Sequence, residues 1–520
     1  MTKEKEKQVI AFINAGAELA NAENYSGAMA EFNKALELDP INYNALAYIG
    51  KTFFLTGNPF GQELVAKRLL KYHPDKTEGY KNFANCYHKM SKIKESVDIL
   101  KIAVKKHPKD PSFVPNLLFH SNSLMLPMSE IFELHRKYAA NYEPRPVLPR
   151  PPFPQTPKIK VGFVSSDFYA HSVCYFLLSL FPFYNKERFE FHLFSNTAHC
   201  NFDSITETYK QFAVWHDIAG VADREAAKLI KKEQISVLFD LNGYTTAPVR
   251  LGIFGQRPAP VQISWLGYPN TTGMKSMDFR ITDNFADSQE ADKYYTEKLL
   301  RFNTPFLCYS PSVTAKSINP EFLEKTESEP IVFGSFNNTT KITDETISLW
   351  STALKKVQNS RLVLKSKAFN DPKMSNFYLE RFASTGIERE RIEMKGHSIY
   401  EEGHLLEYLK IDIALDAIPY NGTTTTCEAM FMGVPTIALM GESHVSRVSA
   451  ALNLQAGFPE FVAKTEQGFV EIAEFWAAHK KELCEYKNSM RAKMLASPLC
   501  NPIVFTEEWE RVINSTLNAG

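Results

Sequence analysis

Four consecutive threonines, Thr423 to Thr426, follow Asn421-Gly422 and run straight into the apolar, helix-prone segment Cys427 to Met432. Ahead of them stands an apolar run punctuated by acids, Ile411 to Leu415, with the composition of a buried parallel strand. A strand, a glycine turn and a hydroxyl-rich helix start together make an anion site. The first N–H groups of a helix lack intrahelical partners, and the dipole favours negative charge there. Threonine hydroxyls add donors, and Gly422 lets the main chain approach a ligand closely. Glu428 falls about one turn into that helix, placed to accept hydrogen bonds from a ribose. The pattern points to a nucleotide diphosphate. Its plain alternative is an N-cap threonine with spare neighbours.

Further segments carry groups suited to the same chemistry. Ser165 to Ser172 follows a strand and holds His171; histidine, with an unperturbed pKa near neutrality, is a residue type suited to a general base or a substrate-orienting group. Loop histidines are also commonplace, and Asp167 beside it could simply cap the next helix. Phe336 to Ile342 again follows a strand. Here Asn338 can offer an amide to a base or phosphate, and Lys341 is a mobile point charge suited to a diphosphate. A solvated loop lysine is the bland reading. His404 lies in a helix leading to the strand of Asp412, where a structural histidine and a ligand contact fit equally. Asp240 to Thr245 and Gln256 to Pro269 are loop-rich at strand ends and more polar than a fold alone requires. No dinucleotide or Walker glycine motif, zinc-protease motif or D-x-D pair is present, so no metal and no cofactor are expected. Lys341 and the helix start at Thr424 must then neutralise the diphosphate electrostatically.

These groups need elements to hold them. Lys158–Val164, Phe189–Phe194, Ser236–Asp240 and Val261–Trp265 read as strands, with helical Val173–Phe183 and Asp223–Glu233 between them. A second series runs through Ile331–Ser335, Arg361–Lys365, Ile411–Leu415 and Thr436–Leu439. Two βα series predict two Rossmann-like domains facing each other across a cleft, with ligands at the carboxyl ends of the strands. Upstream, Pro40, Pro74 and Pro108 stand 34 residues apart, the period of a tetratricopeptide repeat. Gly16, Ala28, Phe32 and Ala35 occupy signature positions of the first unit. Gly50 stays in phase in the second, and Ala84 and Ala103 in the third. The expected organisation is an α plus α/β chain. It comprises a tetratricopeptide helical solenoid over 1–140 capped by one or two further helices, and a proline-rich linker over 141–157. An N-terminal Rossmann-like domain (158–315), a C-terminal one binding the nucleotide (316–500) and a final helix (501–520) complete it.

The 520 residues are 44% hydrophobic and 23% charged with a net charge of zero, which argues against nucleic acid or a membrane surface as partner. No apolar run is long enough to span a bilayer, and the N-terminal Met1-Thr-Lys-Glu-Lys-Glu-Lys lacks the apolar stretch of a secretory signal. Seven cysteines without a C-x-x-C pair predict neither a disulfide framework nor a zinc knot, and fit a reducing cytoplasm.

With these residues in view the chain resembles the O-linked N-acetylglucosamine transferases and their bacterial relatives, over residues from about 10 to 480. The resemblance is carried by SSDFYAH (165–171), DLNGYT (240–245), RPAPVQISWLGYPNTTG (257–273), FNNTTKI (336–342), HLLEYLKIDIALD (404–416), NGTTTTCEA (421–429) and GESHVSRVSA (441–450). It implies a GT-B, inverting, metal-independent transferase that moves N-acetylglucosamine from UDP to serine or threonine hydroxyls of a protein held by the repeats. On the matching positions, His171 is the active-site histidine and Lys341 the diphosphate lysine. Asn338 is a uridine-side amide where Gln is usual, and His404 the histidine near the uracil. Thr424 and Thr425 lie at the phosphates with Thr423 beside them in the nucleotide-sugar site, Glu428 at the ribose where Asp is usual, and Gly267 in the loop near the sugar. His216 aligns loosely with a further active-site histidine. The animal enzymes carry a histidine where this chain has Thr423, and a lysine just before the uracil histidine where Tyr400-Glu-Glu-Gly403 stands. These departures bear on the donor. A sister group transfers glucose to asparagine from UDP-glucose, and an interaction protein with an inactive transferase half is the remaining alternative.

Overall fold

The computed structural model describes residues 2–245 and 248–517. Eight helices come first: α1 (Lys3–Asn21), α2 (Tyr25–Leu38), α3 (Tyr43–Leu55), α4 (Pro59–Tyr72), α5 (Glu78–Lys89), α6 (Ile93–Lys106), α7 (Phe113–Ser121) and α8 (Met128–Ala139). The in-phase prolines each lie two residues beyond a helix end, where a missing N–H costs nothing and the fixed φ stops the helix. Helix starts repeat with the same period. Asn24 accepts from the Gly27 N–H at 3.0 Å and Asn58 from that of Gly61 at 2.9 Å. The third unit places Lys92 at this position, without a side-chain cap, and so carries the weakest signature. Gly16 is required by packing: a Cβ there would stand 2.4 Å from the Phe32 ring.

Two parallel sheets follow. The first holds β1 (Ile159–Ser165), β2 (Phe189–Ser195), β3 (Val214–Asp217), β4 (Val237–Asp240), β5 (Val261–Ser264), β6 (Phe279–Asp283) and β7 (Lys298–Phe302), in the order β3-β2-β1-β4-β5-β6-β7. The second holds β8 (Ile331–Ser335), β9 (Ser360–Lys365), β10 (Ile392–Lys395), β11 (Ile413–Leu415), β12 (Thr436–Leu439) and β13 (Val462–Ala463), in the order β10-β9-β8-β11-β12-β13. Each order reverses direction at the first strand of its series. That reversal opens a crevice between the loops after β1 and β4, and another between those after β8 and β11. The threonine run, Lys341 and His171 all lie on these loops. The expected helix Val173–Phe183 is α-helical only over Cys174–Leu177. Its apolar residues still reach the core through turns that run on to Phe183.

The parts are not strung in series. On one side of the first sheet, Tyr268 meets two helices of the repeat region. The Asn122 amide donates to its hydroxyl at 3.0 Å, and the hydroxyl lies 2.5 Å from His135 Nε2. His135 Nδ1 faces the Ile131 carbonyl at 2.7 Å, so Nδ1 carries the proton and Nε2 accepts from Tyr268. The second sheet's unit is reached by Ser91, whose hydroxyl is 2.7 Å from that of Tyr378. At the other end the helix Pro502–Leu517 leaves the second sheet's unit and returns to the first. Trp509, fully buried, packs its ring 5.7 Å from Phe189, 5.6 Å from Phe191 and 5.9 Å from Phe239. Residues 518–520 of the expected final helix lie outside the described residues.

Trp509→Ala should therefore destabilise the first sheet's unit, although Trp509 stands more than 200 residues beyond its last strand. A loss of about 3–5 kcal/mol is expected from urea unfolding followed by circular dichroism. A loss below about 1 kcal/mol would show that the returning helix is not part of that core.

Candidate active site

A cavity of about 450 Å³ lies between the carboxyl ends of the two sheets. The first sheet's unit contributes Asp167, His171, Thr245 and Gly267; the second contributes Asn338, Lys341 and Thr423 to Thr425; α7 adds Phe119. Groups distant in sequence thus meet at both switch points.

The second unit's wall is built around a buried carboxylate. Asp416 directly follows the strand β11 and accepts from the Gly422 N–H at 2.8 Å and from the Asn337 amide at 3.2 Å. Asn337 in turn accepts from the Thr425 hydroxyl at 3.0 Å. The glycine is needed, because a Cβ on Gly422 would stand 2.5 Å from Thr425 Oγ1. This linkage pins the turn against the start of the helix Thr424–Phe431. Thr423 sits at its N-cap without a side-chain cap bond, so the first-turn N–H groups are left to the cavity. Lys341 ends a short 3-10 turn after β8. Its ammonium donates to the Asn421 carbonyl at 2.7 Å and lies 4.5 Å over the Tyr420 ring. Burial pushes Lys341 down to about 8, against the opposing pull of Asp416. The same burial raises Asp416 to about 6, with the Gly422 N–H and Lys341 pulling it back. One oxygen of Asp416, Oδ2, is buried without a hydrogen bond. Asn338 is exposed at the rim and accepts from the Thr340 N–H at 3.1 Å.

The opposite wall holds His171, whose side chain is 38% exposed, enough to meet a substrate from solvent. Asp167 Oδ2 lies 3.6 Å from its Nδ1 and accepts from the Asn242 amide at 2.6 Å. Burial raises the Asp167 carboxyl, while His171 and Asn242 pull it down. The loop of Gly267 is pressed against the main chain of the neighbouring strand end. A Cβ on Gly267 would stand 1.8 Å from the Leu241 carbonyl oxygen, so no other residue fits there.

Three expected site residues fall elsewhere. Glu428 and His404 are set beside the cavity, not in its lining, and they bond to each other. Lys365 donates to His404 Nδ1 at 2.7 Å, which leaves His404 Nε2–H to donate to Glu428 at 3.3 Å; Tyr408 adds a bond of 3.2 Å. A lysine thus reaches His404 from the end of β9, not from the residue ahead of it. His216 needs the larger correction: it sits in the edge strand β3 against His192, away from the cavity. Sequence reading also missed Phe119, Asp416, Asn337 and His444. The signal for Asp416 was present, as an acid one residue beyond a strand and six before the glycine turn. His444, in the quoted GESHVSRVSA segment, lines the cavity with its Nδ1 2.6 Å from buried Asp287. Among the described residues no helix is long and apolar enough to cross a membrane.

The sequence pattern of glycosyl transferase family 41 matches residues 141–310 and 323–509. The chain belongs to glycosyl transferase family 41. It is 36% identical over 358 residues, 68% of this chain, to the probable UDP-N-acetylglucosamine–peptide N-acetylglucosaminyltransferase SPINDLY of Hordeum vulgare. It is 35% identical to the protein of the same name from Arabidopsis thaliana, over 67% of its length. This chain spans little more than a third of these curated relatives, 38% of each. A solved structure of a mutant Thermobaculum terrenum O-GlcNAc transferase superposes with a TM-score of 0.89. That match covers 100% of this chain and 99% of the other, at 26% identity. The family 41 match takes in both sheets and the first half of the helix that closes back on the first, as far as Trp509.

The state of Lys341 gives the cavity a pH dependence. Its protonated form attracts a diphosphate, and that form is lost as pH rises through about 8. UDP affinity measured by calorimetry between about pH 7.5 and 9.5 should fall roughly tenfold per unit, until the pKa of the bound state is reached. A flat profile would remove Lys341 from the anion site.

Proposed function

We propose that this chain is an inverting glycosyltransferase that moves N-acetylglucosamine from UDP-GlcNAc to serine or threonine hydroxyls of a protein, without metal. The carrying observation is the meeting of Lys341, the uncapped helix start at Thr424 and His171 in one cavity. Two are cationic or donor groups suited to a diphosphate, and the third is a titratable group on the facing wall. The names of the barley and Arabidopsis relatives, which refer to UDP-N-acetylglucosamine and a peptide, support this donor and acceptor class.

The work divides between the walls. Breaking the anomeric bond leaves negative charge on the diphosphate, which Lys341 and the first-turn N–H groups are placed to receive. The acceptor hydroxyl enters from the side of His171, which can orient it and take its proton as the new bond forms. Asp167 at 3.6 Å would hold the imidazole in place. The carboxylates at and behind the cavity wall are engaged: Asp167 by Asn242 and Asp416 by Gly422. Among the described residues neither is paired with another acid to receive a divalent ion. Phe119 brings α7 to the mouth of the cavity, which supports the repeats as the platform for the protein acceptor.

Donor choice is tested by assaying UDP-GlcNAc, UDP-glucose and GDP-fucose with a protein acceptor. Transfer from UDP-glucose to asparagine would replace this reading with the N-glucosylation reading. Lys341→Ala should cut the rate by about 10²–10³. His171→Ala should cut it by about 10²–10⁴ with little change in UDP affinity. A His171→Ala enzyme that loses UDP binding but keeps its single-turnover rate would place that residue in the nucleotide pocket. EDTA should leave turnover unchanged, and inhibition reversed by magnesium or manganese would contradict the metal-free mechanism. Removal of α1 and α2 should lower transfer to protein more than hydrolysis of the donor; equal effects would dismiss the platform.

A further inference from the structure

Away from the cavity, one face of the first sheet carries an unusual row of polar groups. The register pairs Lys160 of β1 with Glu190 of β2, and Phe194 of β2 with His216 of β3. Alternation puts Glu190, His192 and Phe194 on one face, so His216 stands beside His192 there. The rings stack nearly parallel: His216 lies 4.6 Å from Phe194 and 5.3 Å from His192. The helix Asp223–Lys232 crosses this face and ends with Glu233 at its C-cap.

The contacts within this cluster are unequal. Glu190 lies 2.8 Å from His192 Nε2, and therefore accepts a hydrogen bond from that N–H. This fixes the tautomer and turns the lone pair of His192 Nδ1 toward His216 Nε2, at 3.0 Å. Two imidazole nitrogens thus face each other. A carboxylate oxygen of Glu233 completes the group, with the three ligand atoms all within 4.8 Å of one another. Among the described residues the Glu233 carboxylate has no hydrogen bond or ion pair of its own. Two nitrogens on a tetrahedral zinc ion stand about 3.3 Å apart, close to the spacing found here. The Glu190–His192 pair is the carboxylate–histidine arrangement that orients metal-bound imidazoles. A cation facing the cluster, Lys160, is met by Glu190 at 3.5 Å. The helix C-terminus beside Glu233 adds a partial negative charge.

We propose that His192, His216 and Glu233 form a binding site for a first-row divalent transition-metal ion, zinc above all, with Glu190 as the orienting partner of His192. The fourth position is left to water. The site lies at the edge of the sheet, outside the cavity lining, so it stabilises the fold without entering the transfer reaction. It joins the edge strand β3, whose pairing runs over four residues, to β2 and to the helix above.

The test uses full-length, tag-free protein treated with chelator and dialysed. Titration calorimetry with zinc chloride should show one saturable equivalent per chain, together with a raised thermal unfolding midpoint. His216→Ala should weaken that binding by about 100-fold or more, since two protein ligands remain. Glu190→Gln should weaken it by about 10–100-fold. Glu233→Gln lies at a partly exposed position and serves as the variant least able to disturb folding; it too should lose affinity. Absence of a saturable equivalent would overturn the proposal and leave a hydrogen bond between two neutral histidines. Zinc binding unchanged in His216→Ala and Glu233→Gln would overturn it as well, by placing the metal on other residues.

Discussion

Asp416 is the constraint on which the candidate site depends. A carboxylate at the end of a central strand is costly to bury, and this one is held by a main-chain N–H, an amide and the nearby charge of Lys341. Through those contacts it sets the turn at Gly422, the hydroxyl of Thr425 by way of Asn337, and the environment of the lysine. The anion site is therefore one interlocked unit. An ammonium next to an uncapped helix start would repel in an empty protein, and the buried carboxylate offsets that repulsion until a diphosphate arrives. The pull of Asp416 on Lys341, set against burial, leaves the lysine near the protonation boundary where a bound anion can shift it.

The second organising fact is the way the parts interlock. Helices α7 and α8 reach Tyr268, α7 supplies Phe119 to the cavity, and Ser91 reaches Tyr378 on the second unit. The final helix crosses back so that Trp509 completes the first core. A repeat region that shares polar contacts with both sheets' units fixes its own position relative to the cavity. An acceptor gripped by the solenoid would then arrive at one place. The returning helix similarly ties the two sheets together around the crevice.

Much of this architecture is legible in the sequence, for physical reasons that differ by element. The repeats show because proline, asparagine caps and small residues must recur at fixed steps for helix pairs to nest. The central strands show because burial on both faces leaves continuous apolar runs, as in β1, β8 and β11. The outer strands do not. Val214-Trp-His-Asp217 is half exposed and reads as loop, and β13 spans two residues. The error at His216 follows from that blindness, since nothing in a local pattern says which strand lies at an edge. Loops at switch points are legible when they hold hydroxyls, glycine and a lysine together, hence Thr423 to Thr425, Lys341 and His171. Glu428 and His404 are harder to place from sequence: a side chain one turn into a helix can face a ligand or a neighbouring residue. Here both bond to neighbours, Glu428 to Tyr408 and His404 to Lys365.

The central claim is that Asp416 holds Lys341 charged enough to receive a diphosphate. The most direct measurement is the pH midpoint of UDP affinity in an Asp416→Asn variant, which keeps the shape and the acceptor for Gly422 but removes the charge. The account predicts a midpoint below the value near 8 of the unaltered chain, and weaker binding at neutral pH. An unchanged midpoint with unchanged affinity would contradict it.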